Sequence, residues 1–109
     1  MTGGNAHVDR VTLGTPDRDT LALSGALTFA TAARAFAEGA RALATGAETR
    51  LDLAGVSRVD SAGLACVLGL AADASRAGRR LAVVHWPQGL RALAAVCDVE
   101  TLLEQPASV

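Results

Sequence analysis

Asp60 and Ser61 stand together where the strand-like segment Leu51-Asp52-Leu53 and its following loop give way to an Ala/Leu-rich run, and Gly63 follows two residues after Ser61. A strand-to-helix junction leaves the first backbone N–H groups of the helix unpaired, and the side-chain oxygen of either Asp60 or Ser61 can accept from one of them. The Ser61 hydroxyl would then lie exposed at the positive end of a helix. A phosphate placed there is stabilised by free N–H groups and the macrodipole. Gly63 in the first turn lets another surface approach the backbone. The same residues also read as an ordinary cap, and residue types alone leave both readings open.

Other groupings offer less chemistry. A nucleophilic triad of Ser61, His85 and an aspartate lacks the strained G-x-S-x-G elbow, and nothing in the sequence places His85 beside Ser61. His85-Trp86-Pro87 reads as the end of a strand, with Trp86 covering an edge of the core and donating its N–H locally. Two distant histidines make no metal site, and two cysteines are too few for structural zinc. Cys66 and Cys97 both fall in apolar helical patterns, as reduced, buried small hydrophobes, with a disulfide between them as the lesser alternative. The glycines never form a phosphate-binding G-x-x-x-x-G-K-[ST] loop, and the chain has no Lys to complete one. The sequence therefore predicts no cofactor, no metal and no enzymatic activity. Any ATPase activity must belong to a partner.

The totals point the same way. The 109 residues have room for one domain, 1–109, with flexible ends at 1–5 and 105–109. Half of the residues are apolar, only 3% are aromatic and Tyr is absent, so the core should be tight and aliphatic, without a large ring-lined cavity. The formal net charge is −1 and every cation is Arg. Such a chain has no basic field to collect nucleic acid. No segment reads as a signal peptide or a bilayer span, which implies a cytoplasmic location.

Several elements must position these residues. His7 to Leu13 alternates weakly, as an edge strand, and Pro16-Asp17-Arg18-Asp19 supplies a turn. A second strand around Leu21 and Leu23 stops at Ser24-Gly25. Thr28 is placed to cap a helix whose stripe is Phe29, Ala33, Phe36, Ala40 and Leu43, with Arg34, Glu38 and Arg41 opposite and Gly46 as terminator. A strand at 50–54 and a loop, Gly55-Val56-Ser57-Arg58, precede the junction. The next helix runs to about Ala77 and ends at Gly78. Leu81 to Val84 reads as a strand buried on both faces. Pro87 opens a helix with Leu90, Leu93, Ala94 and Cys97 on one face, and Leu102-Leu103 packs back on the domain. The fold class is α/β: a mixed sheet of about four to five strands packed by three to four helices.

The run Val59-Asp60-Ser61-Ala62-Gly63-Leu64, preceded by Leu51-Asp52-Leu53, resembles the signature of STAS domains. Ser24-Gly25-Ala26-Leu27-Thr28-Phe29 is similar to that family's early turn into its first helix. The resemblance extends from about Val11 to Leu103. Leu51-Asp52-Leu53 with Val56-Ser57-Arg58-Val59-Asp60, Leu90-Arg91-Ala92-Leu93-Ala94 and Leu21-Ala22-Leu23-Ser24-Gly25 look closer to MlaB-like STAS subunits of Mla phospholipid ABC transporters than to anti-sigma-factor antagonists. The resemblance implies a non-catalytic subunit that binds the transporter's cytoplasmic ATPase and sits at the inner membrane only through it. The implied contact centres on Ser61, with Arg58, Asp60, Ala62, Gly63 and Leu64 nearby. Leu64 or Ala65 would add apolar area, and Arg58 a rim charge or merely a solvated loop cation. The antagonist reading instead makes Ser61 a phosphorylation site for an anti-sigma factor kinase. Ala26 and Thr28 replace the Glu and Asp of the antagonists' early turn, which weighs against it; Ala26 also departs from the Glu usual in the Mla group.

Overall fold

The structure is a computed structural model, and it describes residues 9–96. In chain order it contains β1 (Val11–Asp17), β2 (Thr20–Leu27), α1 (Ala32–Thr45), β3 (Arg50–Val59), α2 (Ser61–Arg76), β4 (Ala82–Val84) and α3 (Gln88–Val96). The strands form one mixed sheet in the order β1-β2-β3-β4. β1 is antiparallel to β2, whereas β2–β3 and β3–β4 are parallel pairs joined through α1 and α2. The α/β mixed sheet read from the sequence is therefore present, with four strands and three helices among the described residues. No helix among them is long and apolar enough to cross a membrane.

The core lies between the sheet and its helices. Leu21, Leu23 and Leu27 of β2 and Leu51 and Leu53 of β3 are at most 1% exposed. They pack with Ala35 and Leu43 of α1, with Leu64, Cys66, Val67, Leu70 and Ala74 of α2, and with Leu90 and Ala94 of α3. Alternate strand residues face inward because a strand's side chains change face at each step.

Several boundaries differ from the sequence reading. β1 carries on through Pro16 and Asp17, leaving the turn at Arg18-Asp19, where the Asp17 carboxylate accepts the Asp19 N–H at 2.9 Å. β1 is a sheet edge, so the missing N–H of Pro16 need not break the ladder. β2 does not stop at Ser24-Gly25. It shifts register there and continues to Leu27. Residues 55–58 are not a loop, because β3 shifts in step with β2 and runs on to Val59.

Thr28 does not cap α1, which begins after Thr31. The Thr28 hydroxyl donates instead to Asp9 Oδ2 at 2.7 Å, and its N–H donates to Thr31 Oγ1 at 3.0 Å. With the helix displaced, its buried residues are Ala35, Gly39 and Leu43. Phe36 and Ala40 are half-buried, Ala33 is exposed, and Phe29 lies outside the helix. β4 is the other sheet edge, and only Val83 within it is fully buried, so it is not covered on both faces. Trp86 does as expected: its Nε1 donates to the Val83 carbonyl at 3.0 Å. The flexible ends, His7, Cys97 and the Leu102-Leu103 pair lie outside the described residues.

Gly25 makes the bulge possible. Its φ is +94°, and a Cβ there would fall 2.3 Å from the Arg10 carbonyl oxygen. Gly25→Ala should therefore cost about 1–3 kcal/mol from left-handed strain alone. Urea unfolding should show a lower midpoint with an unchanged slope. A midpoint equal to wild type would show that the bulge relaxes without cost.

Candidate functional site

β3 ends at Val59, and Asp60 stands in extended backbone at φ −126° and ψ −169° as the N-cap of α2. One carboxylate oxygen, Oδ1, accepts from the N–H groups of Ala62 at 3.0 Å and Gly63 at 3.1 Å. The other, Oδ2, accepts the N–H of Phe29 at 2.9 Å, from the turn between β2 and α1. Of the two capping candidates, the structure thus selects Asp60. The Phe29 bond first, then those from Gly63 and Ala62, hold the Asp60 carboxyl below its ordinary pKa, since each favours the charged form.

Ser61 is the first residue of α2 and is exposed. Two of the first-turn N–H groups beside Ser61 are taken by the cap. The Ala62 and Gly63 N–H groups are already engaged, and the group engaging them is a neighbouring carboxylate.

The remaining predicted residues divide between surface and interior. Ala62 is half-buried and Ala65 exposed, whereas Leu64 is 3% exposed and belongs to the core. Leu64 therefore offers no apolar area to a partner. Gly63 is buried too, and a Cβ on it would lie 2.2 Å from the Leu27 carbonyl oxygen and 2.7 Å from Val59 Cγ2. The surface that comes close to Gly63 is the end of β2, so this glycine seats α2 on the sheet.

Arg58 projects from β3 and pairs with Asp9 at 3.0 Å, so it is neither on a loop nor simply solvated. Its side chain remains 64% exposed, while Asp9 is 15% exposed and also receives the Thr28 hydroxyl. Arg58 thereby fastens the chain entering β1 to the same end of the sheet.

Its spacing puts Phe29 on the apolar stripe of a helix, yet it is 87% exposed. Its N–H bond to Asp60 fixes its backbone beside the start of α2. The only sequence signal for this was its place directly after the turn into α1.

The alternative chemistry is not assembled. His85 Nδ1 lies 2.9 Å from Asp52 Oδ1, near the start of β3, rather than beside Ser61 at its far end. Burial pushes the Cys66 thiol up to about 11, which makes it a poor nucleophile near neutral pH. No cluster of three or more potential metal-binding side chains exists among the described residues.

Asp60→Ala should cost about 1–2 kcal/mol through the lost cap. Asp60→Asn has one acceptor oxygen and an NH₂ group, so it can serve either α2 or Phe29 but not both. Its amide-exchange protection should fall at one of the two segments. Because the folded pKa is depressed, Asp60's contribution is present above its ordinary value of 3.8 and is lost as pH falls through the folded value. Acid unfolding of wild type and Asp60→Ala should converge below that range. Parallel curves throughout would remove Asp60 from this role.

Comparison with known proteins fits the geometry. The sequence profile of the family described as "Mlab, STAS domain" matches residues 12–104. No curated protein sequence matches. The fold is similar to the structure of the anti-sigma factor antagonist SpoIIAA in its unphosphorylated form, with TM-score 0.68 and 19% identity over 88% of this chain and 86% of that one. It is also similar to the Bacillus cell fate determinant SpoIIAA in the phosphorylated form, with TM-score 0.64 and 19% identity over 88% of this chain and 89% of that one. A profile match over most of the chain, carried on this sheet and this Asp60-capped helix, makes the protein a member of the MlaB-type STAS domain family.

Proposed function

We propose that this protein is a non-catalytic accessory subunit that binds the cytoplasmic ATPase of an Mla-type phospholipid ABC transporter and supports its assembly or activity. It would be cytoplasmic and reach the inner membrane only through that partner. The observation that carries the reading is the exposed Phe29, whose backbone N–H is held by the carboxylate of Asp60, the residue next to exposed Ser61. An exposed aromatic ring on a fixed backbone is the kind of anchor found at interface centres. Arg58, with Asp9, forms its charged rim. Asp60, Gly63 and Leu64 act from beneath, by fixing the shape of this face.

The second reading, an antagonist switched by phosphorylation of Ser61 through an anti-sigma factor kinase, draws support from the exposed Ser61 and the fold likeness to both forms of SpoIIAA. Ala26 and Thr28, where the antagonists' early turn carries Glu and Asp, weigh against it.

Co-expression with the Mla-type ATPase of the same organism, followed by pull-down, should recover a complex. Ser61→Arg should abolish it by forcing bulk and charge into a close contact. Phe29→Ala should weaken it about thirtyfold, as expected for a truncated aromatic anchor. Both variants should keep wild-type thermal stability, since both side chains are exposed. No complex with the wild-type chain, together with phosphate added to Ser61 by a cognate kinase and seen by intact mass, would replace the first reading with the second.

A further inference from the structure

The start of β1 and the turn into α1 enclose a cavity of about 440 Å³, lined by Asp9, Arg10, Val11, Thr12, Thr31 and Arg34, with Ala30 at the turn. Its acceptors are already in use. Asp9 takes Arg58 on both carboxylate oxygens, at 3.0 and 3.1 Å, and the Thr28 hydroxyl on one of them at 2.7 Å. The Arg10 carbonyl accepts the Ala26 N–H at 2.7 Å, and the Val11 carbonyl accepts from Arg34 Nη2 at 2.5 Å. The Thr31 hydroxyl donates to the Ala26 carbonyl at 2.7 Å and accepts the Thr28 N–H at 3.0 Å.

The donors are not used up. The Arg10 side chain is exposed and makes no ion pair or hydrogen bond among the described residues. Arg34 is tied to the Val11 carbonyl, and its Nε lies 3.4 Å from Glu38 Oε2, yet its side chain stays 61% exposed. A guanidinium carries five N–H donors, so most of those on the two arginines remain to be given. The exposed Thr12 adds a hydroxyl that has no partner among the described residues.

The charges balance in the same direction. Asp9 and Arg58 pair with each other, and so do Arg34 and Glu38. Arg10 is left as the unmatched charge of the lining, and both arginines can be reached from solvent. What the cavity lacks is an anionic acceptor. A carboxylate matches the fork of a guanidinium through two parallel hydrogen bonds. Ala30 of the lining follows Phe29 directly, so a polypeptide that covers the exposed ring reaches the cavity at the next residue.

We propose that this cavity receives an aspartate or glutamate side chain of the protein that docks over Phe29, its carboxylate held by Arg10, Arg34 and the Thr12 hydroxyl. The proposal rests on the reading of the Phe29 end as a docking face and names the chemistry that the partner brings to it.

The test is titration of the ¹⁵N-labelled full chain with a capped Gly-Glu-Glu-Gly peptide at low ionic strength, which needs no native partner. Saturable shifts are expected at the amides of Thr12, Ala30 and Thr31 and at Arg34 Nε, with the turn at Arg18 unmoved. The matching Gly-Gln-Gln-Gly peptide should give none. Arg10→Ser removes an exposed side chain without a partner, so it should keep the fold and weaken binding about threefold. Arg34→Gln keeps an N–H donor for the Val11 carbonyl and should weaken binding by a similar factor. Inorganic phosphate should bind no more tightly than the acidic peptide. Absence of saturable shifts, an equal response to the glutamine peptide, unchanged binding by both variants, or tighter binding of phosphate overturns the proposal. Peptide binding without an ATPase complex keeps this site and removes that partner; an ATPase complex without peptide binding keeps the docking face and removes the carboxylate.

Discussion

One planar carboxylate joins two segments that are remote in sequence. Asp60 receives the first N–H groups of α2 on one oxygen and the N–H of Phe29, thirty-one residues earlier, on the other. A carboxylate can do this because it is an acceptor at both oxygens, which no hydroxyl or amide side chain matches. The orientation of α2, the exposure of Ser61 and the station of Phe29 all follow from that bridge. It also needs β2 and β3 to end together. Leu27 pairs with Val59, and the Asp60 N–H reaches the Leu27 carbonyl at 3.4 Å. Gly63 then lets the helix settle against the same carbonyl. Here α2 meets the ends of β2 and β3, with the Leu27 carbonyl and Val59 Cγ2 closest to Gly63.

The features of the sequence that proved legible are those settled by neighbours along the chain. The start and end of α2, the proline ahead of α3, the buried Cys66 and the local indole bond of Trp86 depend on residues a few positions apart. The misreadings arise where a distant partner decides. Thr28 looks like a helix cap, but its hydroxyl goes to Asp9, nineteen residues away. With the helix start displaced, Phe29 falls off the stripe to which its spacing assigns it. The continuation of β2 and β3 past residues 24–25 and 54–55 was hidden because both strands shift register there. Each strand alone loses its alternation at that point, and only the pair shows that the shift is matched.

Glycine illustrates the same limit within the candidate site. From sequence, Gly63 reads as an opening for another protein. In the fold its missing side chain is filled by the molecule's own backbone, so the residue is required for folding before any partner arrives. Leu64 is likewise internal. The motif that resembles the family signature is thus mostly a device for setting a helix on a sheet. Within the run 60–64, exposure is left to Ser61, with Ala62 half-buried.

That division bears on what such a face can recognise. An exposed phenyl ring forgoes about 1.5–3 kcal/mol of burial in the isolated chain. A flexible ring would lose part of that gain on binding through the entropy of ordering its backbone. Here the backbone N–H of Phe29 is already committed to Asp60, and Thr28 before it is tied to Asp9 and Thr31. The ordering has been done during folding, so more of the burial energy is available to an association. Ser61 stands beside the Asp60 carboxylate, which already holds the Ala62 and Gly63 N–H groups. The bridge thus holds the backbone that carries the exposed ring before any association takes place.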